Sequence, residues 1–371
     1  MSWLLLFLAF PLLFPWISKV IFHKTITWKE FLIHILIPIP FVAFVYWIGT
    51  YNSIADLEVW NGQIIDKKKE KVSCIHSYSC NCVTVSCGKD CTTTICQTCY
   101  DHPFDYVYKV YTDIKEVFKI KTEDRQGLIT PKRFLDVTIG EPYSSTHTWK
   151  NYLKASPESL FSRDRELTKE EIEELPKEYP LTIYDYHRID RVIFSGVNVY
   201  PEEKKEWNTY LSEKLKTLGP AKKANAVIVI TKSGSPSYAD NLKNLWLGGK
   251  KNDTVLVIGA PDYPNIAWAR VISWTSKEEH KIFLRNSIQE LKTADPKKVI
   301  DILSESIFNY FERRKIEEDF KYLEDVVVDP PLWAIITGIL FGIISSLLLT
   351  VYLHFNDIFD DENPRRKYPW N

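Results

Sequence analysis

Three stretches of the chain are apolar far beyond what a soluble core requires. The first, WLLLFLAFPLLFPWIS, runs from Trp3 to Ser18 without a charge, and extends to residue 22 if Lys19 snorkels to the interface. Pro11 and Pro15 interrupt it, but it lacks the positive start and small-residue cleavage site of a signal peptide. The second, Phe31 to Tyr51, reaches about 30 Å as a helix, the thickness of a bilayer's hydrocarbon core. The third, Leu332 to Phe355, follows Asp329-Pro330-Pro331, an N-cap acceptor and prolines suited to a first helical turn. The pattern predicts three transmembrane helices.

Between the second and third spans the periodicity changes twice. Leu57 to Ile65, FDYVYKVYTDI from Phe104, KEVFKIK and RFLDVTIG alternate apolar with polar residues, which predicts half-buried strands. Thr168 stands three residues before Glu171, the reciprocal capping box of a short helix. From Tyr184 strands and helices alternate, predicting an α/β sandwich around a buried sheet. Ser235-Pro236 and Asp295-Pro296 read as helix starts, and Ile300, Leu303, Ile307 and Phe311 share one face of the helix after Asp295. The expected fold class is an α+β membrane protein with three transmembrane helices, a β-rich cysteine-containing domain and an α/β sandwich. The expected divisions are two spans in 1–51, the β-rich domain in 52–150, a linker in 151–183, the α/β domain in 184–328, a span in 329–355 and a tail in 356–371.

Charge narrows the partners. Lys plus Arg (47) balances Asp plus Glu (48), without the basic excess of a nucleic-acid binder, so no nucleic acid is expected as a partner. Trp3, Trp16, Trp28, Trp47 and Trp333 flank the apolar runs, as suits headgroup-level rings. Lys19, Lys24 and Lys29 lie between the first two spans, and Arg365, Arg366 and Lys367 follow the third; both groups predict cytoplasmic segments. The body is then extracytoplasmic, although Lys67, Lys68, Lys69 and Lys71 lie near the second span. The expected location is a membrane of the bacterial inner-membrane type, with the lipid bilayer and a protein of the cell envelope as partners. His34 falls near the start of the second span and reads as a neutral interfacial group.

All seven cysteines, Cys74, Cys80, Cys82, Cys87, Cys91, Cys96 and Cys99, fall within 26 residues. Two readings carry equal weight. Cys80-x-Cys82 and Cys96-x-x-Cys99, flanked by His76 and His102, offer soft ligands that can wrap a tetrahedral zinc. An extracytoplasmic location instead favours disulfides among the seven, with one thiol left over. A redox pair at Cys96 and Cys99 lacks the βαβ context of a thioredoxin-like site.

The helix EEKKEWNTYLSEKLKTLG, the strand ANAVIVIT and the run SPSYADNLKNLWLGGKKNDTVLVI, with Trp246, Gly248 and Gly249 at the helix end, resemble the TPM domain family over about 184–323. Thr254 stands where that family usually has Gly. The resemblance implies a membrane-attached extracytoplasmic domain with acid phosphatase or metal-binding activity, and Asp253 is the one carboxylate beside its motif. The three-span layout also resembles membrane proteins of tailed phages and prophages, which implies no activity.

Other constellations are poorer in chemistry. SGSPS from Ser233 is not G-x-S-x-G, and GGKKND from Gly248 lacks Walker spacing. His147 has no nucleophile and orienter at recognisable spacing. Asp185, His187 and Asp190 read as alternating polar positions entering a strand, and Asn252-Asp253-Thr254 is a sequon without a role. The sequence therefore points to a membrane-anchored envelope protein with an extracytoplasmic binding domain. A metal-dependent TPM-like hydrolase is the alternative, and a thiol-disulfide oxidoreductase the third reading.

Overall fold

The computed structural model describes residues 13, 16, 20, 28–88, 91–152, 167–183, 188–319 and 330–356. The chain divides into two compact units, one made of 1–56, 148–164 and 315–371, the other of 57–147 and 165–314.

In the first unit, helices α1 (Trp28–Leu36) and α2 (Pro38–Ile54) form a nearly continuous rod broken at Ile37, where Pro38 and Pro40 withhold backbone donors. Helix α7 (Leu332–Asn356) packs on it antiparallel: Thr350 lies beside His34, Phe341 stacks on Phe41, and Ala334 abuts Gly49. Ala334, Gly338, Gly342, Ser346 and Thr350 recur every fourth residue and are all buried, so one small-residue stripe lets the backbones approach. Leu36, Phe44, Trp47, Ile344, Leu348 and Tyr352 point outward and are exposed. Phe31–Ile54 and Leu332–Leu353 are long and apolar enough to cross a membrane, the two such helices among the described residues. The expected first span, Trp3 to Ser18, lies outside the described residues apart from Leu13 and Trp16, as do the basic residues 19, 24 and 365–367. His34 is buried, with Nε2 3.5 Å from the Thr350 hydroxyl of α7.

The second unit is α+β and carries three sheets. Strands β1 (Ala55–Ser73), β4 (Phe104–Thr112), β5 (Val117–Ile120) and β6 (Pro142–Lys150) form a sheet in the order β5-β4-β1-β6. The strand expected over Leu57 to Ile65 runs on through the lysine cluster, because Lys67 to Ser73 pair with β4. The ammonium groups of Lys69 and Lys71 sit over the rings of Tyr106 and Phe104, at 4.3 and 3.8 Å. RFLDVTIG, expected as a strand, instead holds a short helix, Lys132–Asp136, whose last carbonyls accept hydrogen bonds from Lys67 Nζ. The cysteine segment is itself a sheet, the hairpin of β2 (Ser77–Gly88) and β3 (Cys91–Tyr100).

The third sheet has the order β10-β9-β8-β7, with β7 (Val192–Ser195), β8 (Asn225–Thr231) and β9 (Asp253–Gly259) parallel and β10 (Trp268–Ile272) antiparallel. Every residue of β8 and β9 is buried, as the unbroken apolar runs require of strands covered on both faces. Ala226, Ile228, Ile230, Leu256 and Ile258 face helices α3 (Pro201–Lys222), α5 (Glu278–Glu290) and α6 (Pro296–Tyr310). Val227, Val229, Val255 and Val257 face the other way, onto α4 (Ser237–Leu245) and Trp246. The crossovers β7-α3-β8 and β8-α4-β9 step in the same direction, yet their helices lie on opposite faces. They therefore have opposite hands, and one of them is left-handed, against the strong general preference.

A buried polar seam joins this sheet to the antiparallel one. Arg191, 2% exposed, donates to Asn61 Oδ1, Ser144 Oγ and Asn225 Oδ1 at 2.5, 2.6 and 3.0 Å. Asn252 Nδ2 donates to the carbonyls of Val59 and Lys223. Being fully buried, Asn252 cannot serve as a glycosylation acceptor.

Candidate metal centre

The ladders β1/β4 and β2/β3 are separated by short breaks, residues 74–76 on one strand run and 101–103 on the other. In the first break Cys74 and His76 turn inward, while Ile75 between them is 79% exposed. In the second, Asp101 N–H bonds to the His76 carbonyl and brings His102 across from His76. Asp105 is the second residue of β4, opposite Val72 in the register, and faces inward. Alternation sets Cys74 and His76 on one side, and the bend at 101–103 turns His102, three residues before Asp105, to the same side, so four side chains up to 31 residues apart in sequence converge.

The ligand-capable atoms of Cys74, His76, His102 and Asp105 all lie within 4.8 Å of one another. Cys74 Sγ is 3.8 Å from His76 Nδ1, and His76 Nδ1 is 3.4 Å from Asp105 Oδ2. A tetrahedral ion with bonds of about 2.0–2.3 Å requires ligand separations of roughly 3.3–3.8 Å. These two edges fit. His102 Nε2 and Asp105 Oδ1 are in direct hydrogen-bond contact, which a shared cation would replace. The outer contacts also favour anionic ligands: the His76 N–H donates to Cys74 Sγ at 3.3 Å, and the Ile75 N–H to Asp105 Oδ2 at 3.0 Å. Burial pushes the Asp105 pKa up. The Ile75 N–H, the His102 contact and the charges of both imidazoles outweigh that effect and hold the carboxyl below the usual aspartate range.

Of the six residues expected to ligate zinc, His76 and His102 belong to this cluster. Cys80, Cys82, Cys96 and Cys99 do not, because disulfides join Cys80 to Cys99 and Cys82 to Cys96 across the hairpin. A disulfide sulfur lacks the thiolate charge that binds zinc. Cys74 is a buried free thiol. The side chains of Cys87 and Cys91 lie outside the described residues. Sequence reasoning missed Asp105 and placed Cys74 only among the disulfides. The available signal was Cys74-x-His76 and His102-x-x-Asp105 placed symmetrically on either side of the hairpin.

The remaining expected residues have structural surroundings. Asp253 is fully buried, and its oxygens accept from Asn225 Nδ2 at 2.9 Å and from the Lys250 N–H at 2.6 Å. Burial raises its pKa in spite of those bonds and a further one from Tyr179. Asp253 belongs to no cluster of three or more His, Cys, Asp or Glu side chains among the described residues. His147 stacks on Trp60 at 3.8 Å and meets both Ser145 Oγ and Glu116 Oε1 through the same nitrogen, Nε2. A nucleophile relay needs the two partners on opposite ring nitrogens, so this trio is not one. Asp185 and His187 lie outside the described residues. The chain matches no family model, no curated protein and no solved structure.

Proposed function

We propose that the chain is a membrane-anchored envelope protein whose extracytoplasmic body presents the β2–β3 hairpin to a protein partner. In this reading a zinc ion bound by Cys74, His76, His102 and Asp105 fixes the root of that hairpin. The observation that carries it is the contrast between the hairpin's fixation and its lack of a core. None of its described side chains belongs to the three buried clusters of the body, and Tyr78, Val83, Ile95 and Tyr100 are exposed. Two disulfides and a four-ligand clasp nevertheless constrain it. Rigid, exposed apolar and aromatic side chains suit recognition, because their ordering cost is met before binding.

The donor set suits zinc, one thiolate with two imidazoles and a carboxylate. Four protein ligands leave no open position for a substrate water, so the metal's role is structural rather than hydrolytic. The outward-facing apolar side chains and inward small residues of the α1–α2 and α7 pair support a bilayer environment. The disulfides support an oxidising compartment for the body.

The test is metal analysis of the full chain purified in detergent without added chelator. One zinc per chain is expected, falling to background in Cys74→Ser and His102→Ala but retained in Cys82→Ala/Cys96→Ala. A metal-free preparation that also fails to take up zinc on titration would sink the proposal.

A further inference from the structure

A cleft of about 420 Å³ lies in the body, sharing no residue with the metal cluster and within the size range of small-ligand pockets. Its walls are α3, Tyr143 and Ser144 of β6, and residues 188–191. Five cationic side chains line it against two carboxylates, Asp190 and Glu213. Glu213 is engaged by Lys216 at 2.6 Å, and Arg188 by Glu141 at 3.0 Å. Lys204 and Lys205 form no ion pair among the described residues. Lys205, Thr209, Ser212 and Lys216 recur at helical spacing, so ammonium and hydroxyl groups share the α3 wall.

Arg191 lies at the floor, held by Asn61, Asn225 and Ser144 as described. Its guanidinium is spent on those bonds and need not touch a ligand. Its charge, partly removed from water, still raises the potential of the space above it. A dianion with several acceptor oxygens is what such a wall neutralises best: Lys205, Thr209 and Ser212 offer one ammonium and two hydroxyl groups along one face of α3, Lys204 lines the cleft on the preceding position, and fixed positive charge lies behind.

We infer that this cleft binds a small phosphate-bearing molecule, its phosphate held by Lys204 and Lys205 and by the hydroxyls of Thr209 and Ser212. The site is independent of the metal clasp. The phosphate belongs either to a free metabolite or to a lipid headgroup, and the two sources are separable by experiment.

Full-length protein in detergent would be titrated calorimetrically with inorganic phosphate and with pyrophosphate, and in parallel floated with vesicles of neutral lipid with or without phosphatidic acid. Saturable binding of the soluble anions is expected. It should weaken by about tenfold or more in Lys204→Glu/Lys205→Glu, as loss of charge-assisted contacts implies, and measurably in Thr209→Ala/Ser212→Ala. Lys297→Glu/Lys298→Glu, on an exposed turn of α6, should bind as the parent does. Binding to phosphatidic acid vesicles alone, abolished in Lys204→Glu/Lys205→Glu, supports the cleft with a lipid headgroup as the source. Absence of saturable binding to any of these probes by folded protein would overturn the inference, and so would equal loss in the Lys297→Glu/Lys298→Glu control.

Discussion

The backbone carbonyl oxygen of Asn61 lies 2.0 Å from the point where a Cβ on Gly219 would stand. Helix α3 therefore touches β1 backbone to backbone, and only glycine permits it. The Cβ of Gly219→Ala would meet main chain, which cannot rotate away as a flexible side chain could. The substitution is expected to lower stability by about 1–3 kcal/mol, the usual range for overpacking. Denaturant midpoints of the full chain in detergent would test this, and an unchanged midpoint would contradict the contact.

His280 makes the body acid-sensitive. It is fully buried between Thr254 Oγ1 on Nε2, at 2.8 Å, and Ser306 on Nδ1, with the Ser306 carbonyl at 3.2 Å and Oγ at 2.9 Å. A carbonyl partner makes Nδ1 the donor, which in the neutral ring leaves Nε2 to accept from the Thr254 hydroxyl. Burial pulls its pKa down to about 4, with only partial compensation from the Ser306 carbonyl. Between an unfolded pKa of about 6.5 and the folded value, the unfolded chain binds the extra proton. Stability is therefore complete above about pH 6.5 and falls as the pH drops toward 4, by roughly 3 kcal/mol in all. His280→Gln should flatten the slope of stability against pH in that window, and an undiminished slope would rule out His280 as its source.

Glu58 is 3% exposed, accepts both oxygens' worth of hydrogen bonds from Arg313 Nη2 at 2.7 and 2.8 Å, and also accepts the Trp60 indole N–H at 2.9 Å. Lys251, equally buried, stands 3.6 Å away. Arg313→Ala leaves this carboxylate short of donors and is expected to cost about 3 kcal/mol. Arg313→Ala combined with Glu58→Leu should cost less than the two single losses added together. A strictly additive pair of thermal shifts would show that the two side chains do not act as a unit.

The disulfides should stabilise the hairpin alone. Cys82 and Cys96 are 14 residues apart, a loop whose closure entropy corresponds to about 3 kcal/mol. Because the hairpin contributes nothing to the body's buried clusters, Cys82→Ala/Cys96→Ala should expose peptide bonds of 77–100 to limited proteolysis while the body's unfolding midpoint stays put. A parallel fall of that midpoint would mean the hairpin supports the body after all.

In the α2–α7 pair, a Cβ on Gly49 would lie 2.6 Å from the Ala334 Cβ. Gly49→Ile should separate the helices and lower the resistance of the pair to denaturing detergent, read by cross-linking of cysteines introduced at positions 41 and 341. Undiminished cross-linking would argue against this packing.

Local signals carried most of the secondary structure. Thr168 and Glu171 form the reciprocal cap, Asp295 caps α6 through the Lys298 N–H, and Ile300, Leu303, Ile307 and Phe311 are buried together. Ser235 accepts from the Ser237 N–H, one residue outside the helix start that its prolyl neighbour suggested. The lysine run, weighed in the sequence only for its bearing on topology, carried no mark of a strand, because its partners are rings on β4 that only pairing reveals. The cysteine segment was misleading for a related reason: spacing describes which thiols are near in sequence, and here the register of β2 with β3 decided which ones meet. The metal cluster depends on two strand breaks facing each other, so Asp105, an unremarkable residue at a strand start, carried no local mark. Arg191 and Asn61 likewise meet from residues 130 positions apart.

The antiparallel pairing of α2 with α7 bears on the unfolded chain as well. Their adjoining ends, near Gly49 and Ala334, close the loop of chain between them, and would keep it closed in an unfolded body for as long as the pair stays packed. An intervening segment of roughly 280 residues tethered at both ends loses about 5 kcal/mol of loop entropy when unfolded, by the same relation that governs cross-links. The helix pair thus works as a noncovalent staple. A body excised from it would have to fold from a freer chain, and would be less stable although every contact within it were unchanged.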